Sequence, residues 1–174
     1  RCDSILTIQS HISMQETSKL TSKILAYKEL DDFNMNESID WAVDMLGIGY
    51  ESPSLLILAG LSKPTNLYEA EEYLKGSINE LGLKIPERNV AISQYCKYLI
   101  EKIANEENVK ENLYQLYKVA RTVDDDNLLL DFYLLYWAWG DLDFGQEYQH
   151  YWDDTTLKNI EKIVIEKKKK YLNT

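Results

Sequence analysis

Apolar residues in this chain recur every three to four positions in one segment after another, and no segment shows a convincing alternation of period two. A 3.6-residue period gathers those side chains on one face of a helix, whereas a half-buried strand needs strict alternation, so the pattern commits the chain to helices packed on helices. The clearest stripe is Leu67, Ala70, Leu74, Ile78 and Leu81. Asn66 and Glu69 precede it as a capping box, and Gly82 follows as a stop. Ser52-Pro53 is an equally local start signal, with serine as cap and proline at the first helical position, for a short helix through Leu61 that Pro64 closes. Asn34 and Glu37 form a further capping pair, ahead of a stripe expected at Ile39, Ala42, Val43 and Leu46 and ended by Gly47 or Gly49.

The remaining segments follow the same period. Ile5, Ile8 and Ile12 mark one face near the start, and Leu20, Ile24 and Tyr27 continue it or begin another helix. Pro86 opens a long helix whose face is Ile92, Tyr95, Cys96, Leu99, Ile100 and Ile103. A helix with Leu113, Leu116, Tyr117 and Ala120 is expected to pack antiparallel to it. LLLDFYLLYWAW is apolar nearly all round, which predicts the central buried helix, and an irregular acidic loop from Gly140 to Asp154 leads to a last helix facing inward through Leu157, Ile160, Val164 and Tyr171. The expected fold is all-α, an irregular antiparallel bundle of seven to eight helices in a single domain over residues 1–174. The alternative is a short α-solenoid of helix pairs, suggested by spacings of roughly 35 residues, but the helix LYEAEEYLKGSINELGL has no second copy.

Charge narrows the partners. The formal net charge is -10, and the four lysines of Lys167 to Lys170 stand against it at the end of the last helix, where cations complement the helix dipole. A body so acidic repels phosphate, which argues against nucleic acid or an anionic membrane as partner. No apolar run approaches the ~20 residues of a membrane-crossing helix, and the first residues lack a signal-peptide hydrophobic region. Two cysteines, Cys2 and Cys96, form no disulfide framework, so a reducing cytoplasm is the expected compartment.

Catalytic patterns are missing. The chain has no glycine-rich phosphate loop, no GxSxG elbow and no HExxH, and its two histidines are His11 and His150. Asp141, Asp143 and Glu147 imitate the alternating acids of a calcium loop, but an EF-hand needs glycine at position six and glutamate at twelve, and counting from Asp141 gives Gln146 and Trp152. A metal site from His150, Asp153 and Asp154 would be generic, and Asp40 with Asp44 reads as a solvated helix face and not as an acid–base dyad. The expectation is therefore no catalytic residue, no metal and no cofactor.

What stands out is Phe132 to Asp154. These 23 positions hold nine of the twenty aromatic residues, including three of the four tryptophans, with five acids and no lysine or arginine. Aromatic rings beside carboxylates suit a docking surface for a basic partner, because complementary charge speeds encounter and buried rings slow dissociation. The partner-binding candidates are Asp141, Asp143, Glu147, Tyr148, Tyr151, Trp152, Asp153 and Asp154. A second reading puts Trp137, Trp139 and Trp152 in the core of a helical scaffold or adaptor with contacts elsewhere, and a third makes an aromatic-lined pocket for a small ligand or an enzyme substrate.

One stretch is familiar. YESPSLLILAGLSKP, with Asp40-Trp41-Ala42 before it and YEAEEYLKGSINELGL after it, resembles a group of small, acidic, all-helical bacterial proteins of unassigned function, over roughly residues 20–120. The resemblance implies a bacterial origin and a helical fold and carries no catalytic motif. In size, charge and helicity the chain is also similar in type to immunity proteins that neutralise secreted bacterial toxins, which implies a basic toxin domain as partner.

Overall fold

The computed structural model describes residues 16–30, 32–123, 127–146 and 149–172. Among them the chain is all-α, with no strand. Eight helices follow in order: α1 (Thr21–Leu25), α2 (Asn36–Ile48), α3 (Pro53–Ala59), α4 (Leu67–Glu80), α5 (Arg88–Ala104), α6 (Val109–Ala120), α7 (Asn127–Asp143) and α8 (Ile160–Leu172), with a 3-10 turn at Tyr27–Glu29. The stripe of Ile5, Ile8 and Ile12 lies outside the described residues. The described residues group into two compact units, residues 16–21 with Met35–Gly82 and Ser22–Asn34 with the chain from Leu83 onward.

The first unit packs α2, α3 and α4. Its local signals act largely as read. Ser52 Oγ accepts the Leu55 N–H at 3.3 Å at the start of α3, and Asn66 Oδ1 accepts from Tyr68 N at 3.0 Å and Glu69 N at 3.3 Å at the start of α4. Gly49 ends α2 at φ 102°, a left-handed conformation that a side chain would strain. Two expectations fail. Leu67, read as the head of the buried stripe of α4, is 63% exposed. Val43 is 53% exposed, because the buried stripe of α2 is centred on Trp41, Ala42 and Met45, all fully buried. Trp41 decides that rotation: its large ring fills the interior while its Nε1–H donates to Thr21 Oγ1 at 3.0 Å, which satisfies the polar edge.

Helices α3 and α4 approach closely at Gly76, where an added Cβ would lie 2.3 Å from Ser54 Oγ and 2.9 Å from Ser54 Cβ. One turn on, the Glu80 carboxylate accepts from Ser54 Oγ at 2.7 Å and Ser54 N at 2.9 Å, which places a negative charge at the first turn of α3. The Ser54 hydroxyl, the Ser54 amide and the Ser52 hydroxyl hold the Glu80 carboxyl below its ordinary range, and burial opposes them only weakly.

The second unit is a four-helix arrangement in which α6 and α8 touch each other and each touches both α5 and α7, while among the described residues the backbones of α5 and α7 make no close approach. All six expected face residues of α5 are buried, although the helix begins at Arg88 and not at Pro86. Helix α7 is therefore not the central element. Leu129, Phe132, Leu135, Ala138 and Leu142 face the core, but Leu130 and Trp137 reach solvent. The helix also runs through Gly140 to Asp143, so the loop is shorter than expected: Leu142 lies one turn beyond Ala138 on the buried face, and this burial holds the last turn. Leu157 is exposed, since α8 begins only at Ile160.

Candidate functional site

Two helices of the second unit carry a tyrosine repeat on facing surfaces, Tyr114 and Tyr117 on α6 and Tyr133 and Tyr136 on α7. A spacing of three puts each pair on one helix face, and the packing of α6 on α7 brings the pairs together. Tyr117 lies at the middle: its ring centroid is 4.1 Å from that of Tyr136 and 5.3 Å from that of Tyr133, both stacked, and Trp137 meets it edge-on at 5.8 Å. Tyr114 adds to one side of Tyr136 at 5.4 Å, and Tyr151 stacks on Trp137 at 6.2 Å. The inner ring, Tyr117, is buried, but Tyr114 and Trp137 are each 37% exposed and Tyr151 is 40% exposed, so the stack ends in a solvent-facing surface.

Beside this face lies a groove of about 560 Å³ lined by Tyr114, Tyr136, Trp139, Lys110, Glu111 and Glu161, and a second hollow of about 290 Å³ shares Lys110, Tyr136 and Trp139 with it and is lined also by Leu113, Asp143 and Phe144. Phe144 is 90% exposed. Burial pushes the Tyr136 phenol up, the neighbouring phenols of Tyr114 and Tyr117 and the carboxylate of Glu111 act in the same direction, and Lys110 opposes them. Tyr136 thus stays a neutral hydroxyl at the groove wall.

The segment from Phe132 to Asp154 has no cation of its own, but neighbouring helices supply some. Lys110 of α6 is hydrogen-bonded to Asp143 and lies 5.8 Å from the centre of the Trp139 ring. Lys167 of α8 bonds to Asp131 at 3.0 Å and lies 4.3 Å over Trp152. Lys118 bonds to Asp32 and lies 4.7 Å over Tyr114. Three lysines therefore each sit between an aromatic ring and an aspartate. Lys167 is accordingly half-buried and ion-paired, in addition to the place at the helix end that the sequence pattern gave it.

The candidate residues separate into groups. Asp141 is half-buried and Asp143 is ion-paired to Lys110, both in the last turn of α7. Tyr151 joins the exposed aromatic face. Trp152 is partly buried against the core and beneath Lys167. Asp153 and Asp154 are exposed, on a turn held by Gln149 Oε1, which accepts from Tyr151 N and Trp152 N at 2.8 Å each, and by Asn159 Nδ2, which donates to the Asp154 carbonyl at 2.9 Å. Glu147 and Tyr148 lie outside the described residues. The tyrosines of α6 were not among the candidates, although the matching YxxY spacing in two helices was the available signal.

Among the described residues no three His, Cys, Asp or Glu side chains converge as metal ligands. Asp40 is ion-paired to Lys63, and Asp44 accepts from Ser18 Oγ at 3.0 Å, which are surface roles. No described helix is long and apolar enough to cross a membrane. Comparison with family models, with curated proteins and with solved structures gave no match to this chain.

Proposed function

We propose that this chain is a non-enzymatic binding protein that masks a basic protein partner, with the aromatic face of α6 and α7 as its docking surface. An immunity protein that neutralises a basic toxin domain is the concrete form of this reading. The observation that carries it is the stacked set Tyr114, Tyr117, Tyr133, Tyr136, Trp137 and Tyr151, in which a buried ring supports rings that reach solvent. Rigid aromatic surface of this kind loses little entropy on binding and is enriched among the residues that dominate interface energies. Glu111 and Glu161 at the groove, exposed Asp153 and Asp154 beyond Tyr151, and a net charge of -10 favour a cationic partner.

The test is affinity capture from the native host with the parent chain and with Trp137→Ser/Tyr151→Ser as paired baits. A basic protein retained by the parent, lost with the variant and eluted by moderate salt supports the reading. A partner held equally by both baits, or one whose binding is indifferent to salt, contradicts it.

A further inference from the structure

We infer that the groove walled by Tyr136 and Trp139 is a binding site for an organic cation, a guanidinium or alkylammonium group, which on the reading above is an arginine or lysine side chain of the basic partner. The cavity offers what such a group needs. Tyr114, Tyr136 and Trp139 line it with aromatic rings, the partners a cation takes through their quadrupoles, and Glu111 and Glu161 line the same space with two carboxylates. A volume of about 560 Å³ accepts an extended side chain with room for water.

The chain itself shows the recognition chemistry at this spot. Lys110 places its ammonium near the Trp139 ring and bonds to Asp143, and the same ring-and-carboxylate cradle recurs at Lys118 and Lys167. In the groove, however, one lysine faces more than it uses: Tyr136, Glu161 and Glu111, whose Oε1 accepts from Gln115 Nε2 at 2.8 Å, line the space beside it. An incoming cation therefore finds rings and carboxylates on the α6 and α8 sides, and competes with Lys110 for Trp139 and Asp143 on the α7 side. Lys110 is in effect an internal competitor, so its removal should tighten binding by more than the loss of one positive charge elsewhere.

N-acetylarginine amide, with neutral N-acetylcitrulline amide as its isostere, tests this on the isolated full chain by titration, following the indole N–H resonance of Trp139 identified by its loss in Trp139→Phe. The arginine probe should shift that resonance saturably and the citrulline probe should not. Lys110→Gln should tighten the arginine probe about two- to fivefold, the scale of a cation–π contact, and Glu111→Gln/Glu161→Gln should weaken it similarly. Lys97→Gln, which removes the same charge from α5, away from the residues that line the groove, should change it less than Lys110→Gln. Equal binding of both probes, an unmoved Trp139 resonance, or equal effects of Lys110→Gln and Lys97→Gln would overturn the inference. The partner reading fails separately: a captured protein indifferent to Trp137→Ser/Tyr151→Ser removes that reading and leaves the cation site, while loss of capture with no probe binding does the reverse.

Discussion

Replacing Gly76 with alanine is expected to destabilise the first unit, against the usual direction of that change. In an exposed helix interior, glycine to alanine gains about 1 kcal/mol. Here the new Cβ would lie 2.3 Å from Ser54 Oγ and 2.9 Å from Ser54 Cβ, both shorter than real contacts, so either α3 withdraws from α4 or Ser54 rotates away from the Glu80 carboxylate. Overpacking of this kind costs about 1–3 kcal/mol, and the lost Ser54–Glu80 bonds add to it, which leaves a net loss of about 1–2 kcal/mol. Urea unfolding followed by far-UV circular dichroism reads the change as a lower midpoint at constant slope. The double variant Ser54→Gly/Gly76→Ala removes both clashing atoms, so the cycle should show coupling of at least about 1 kcal/mol in favour of the pair. A Gly76→Ala chain more stable than the parent, or a cycle without coupling, would refute the packing argument.

Other expected outcomes follow from burial and charge. Leu74→Ala and Leu99→Ala remove side chains that are 0% and 2% exposed and should each cost about 2–5 kcal/mol in denaturant melts. Trp152→Ala should act chiefly on stability, by about 1–3 kcal/mol, because the ring is partly buried against the core beneath Lys167, and a melt like the parent's would return it to the candidate interface. Trp137→Ser/Tyr151→Ser should leave the melt within about 2 kcal/mol of the parent while lowering partner affinity tenfold or more. Glu80 sets a pH dependence of known sign: its folded pKa lies below the ordinary 4.5, so its contribution is fully present above that value and is lost as pH falls through the folded pKa. The melting midpoints of the parent and Glu80→Gln should therefore converge under acid conditions, and a gap that widens there would reverse the assignment.

The parts of the fold that were legible in the sequence are those fixed by neighbours in the chain. Ser52-Pro53 and Asn66 cap helices through bonds spanning two or three residues, and the stripe of α5 is long enough to fix its own buried face. Rotation and position were less legible, because distant contacts set them. Val43 was displaced from the interior by Trp41, whose ring finds its acceptor in Thr21, twenty residues away. Helix α7 looked central because it is apolar on every side, yet its outer side is a surface whose tyrosines are supported by α6. The candidate site followed the same rule. Dense rings and acids between Phe132 and Asp154 drew attention to the right end of α7, but the lysines that neutralise Asp131 and Asp143 and the tyrosines that complete the aromatic face come from α6 and α8. No run of local sequence contains them.

The central claim is that a partner docks on the aromatic face of α6 and α7, and hydrogen exchange of this chain with and without the captured protein tests it most directly. The account predicts slowed exchange in peptides from residues 109–121 and 130–154, little change across α2, α3 and α4, and reversal of the protection as salt is raised. Protection confined to α2, α3 and α4, with residues 109–154 exchanging as in the free chain, would contradict it.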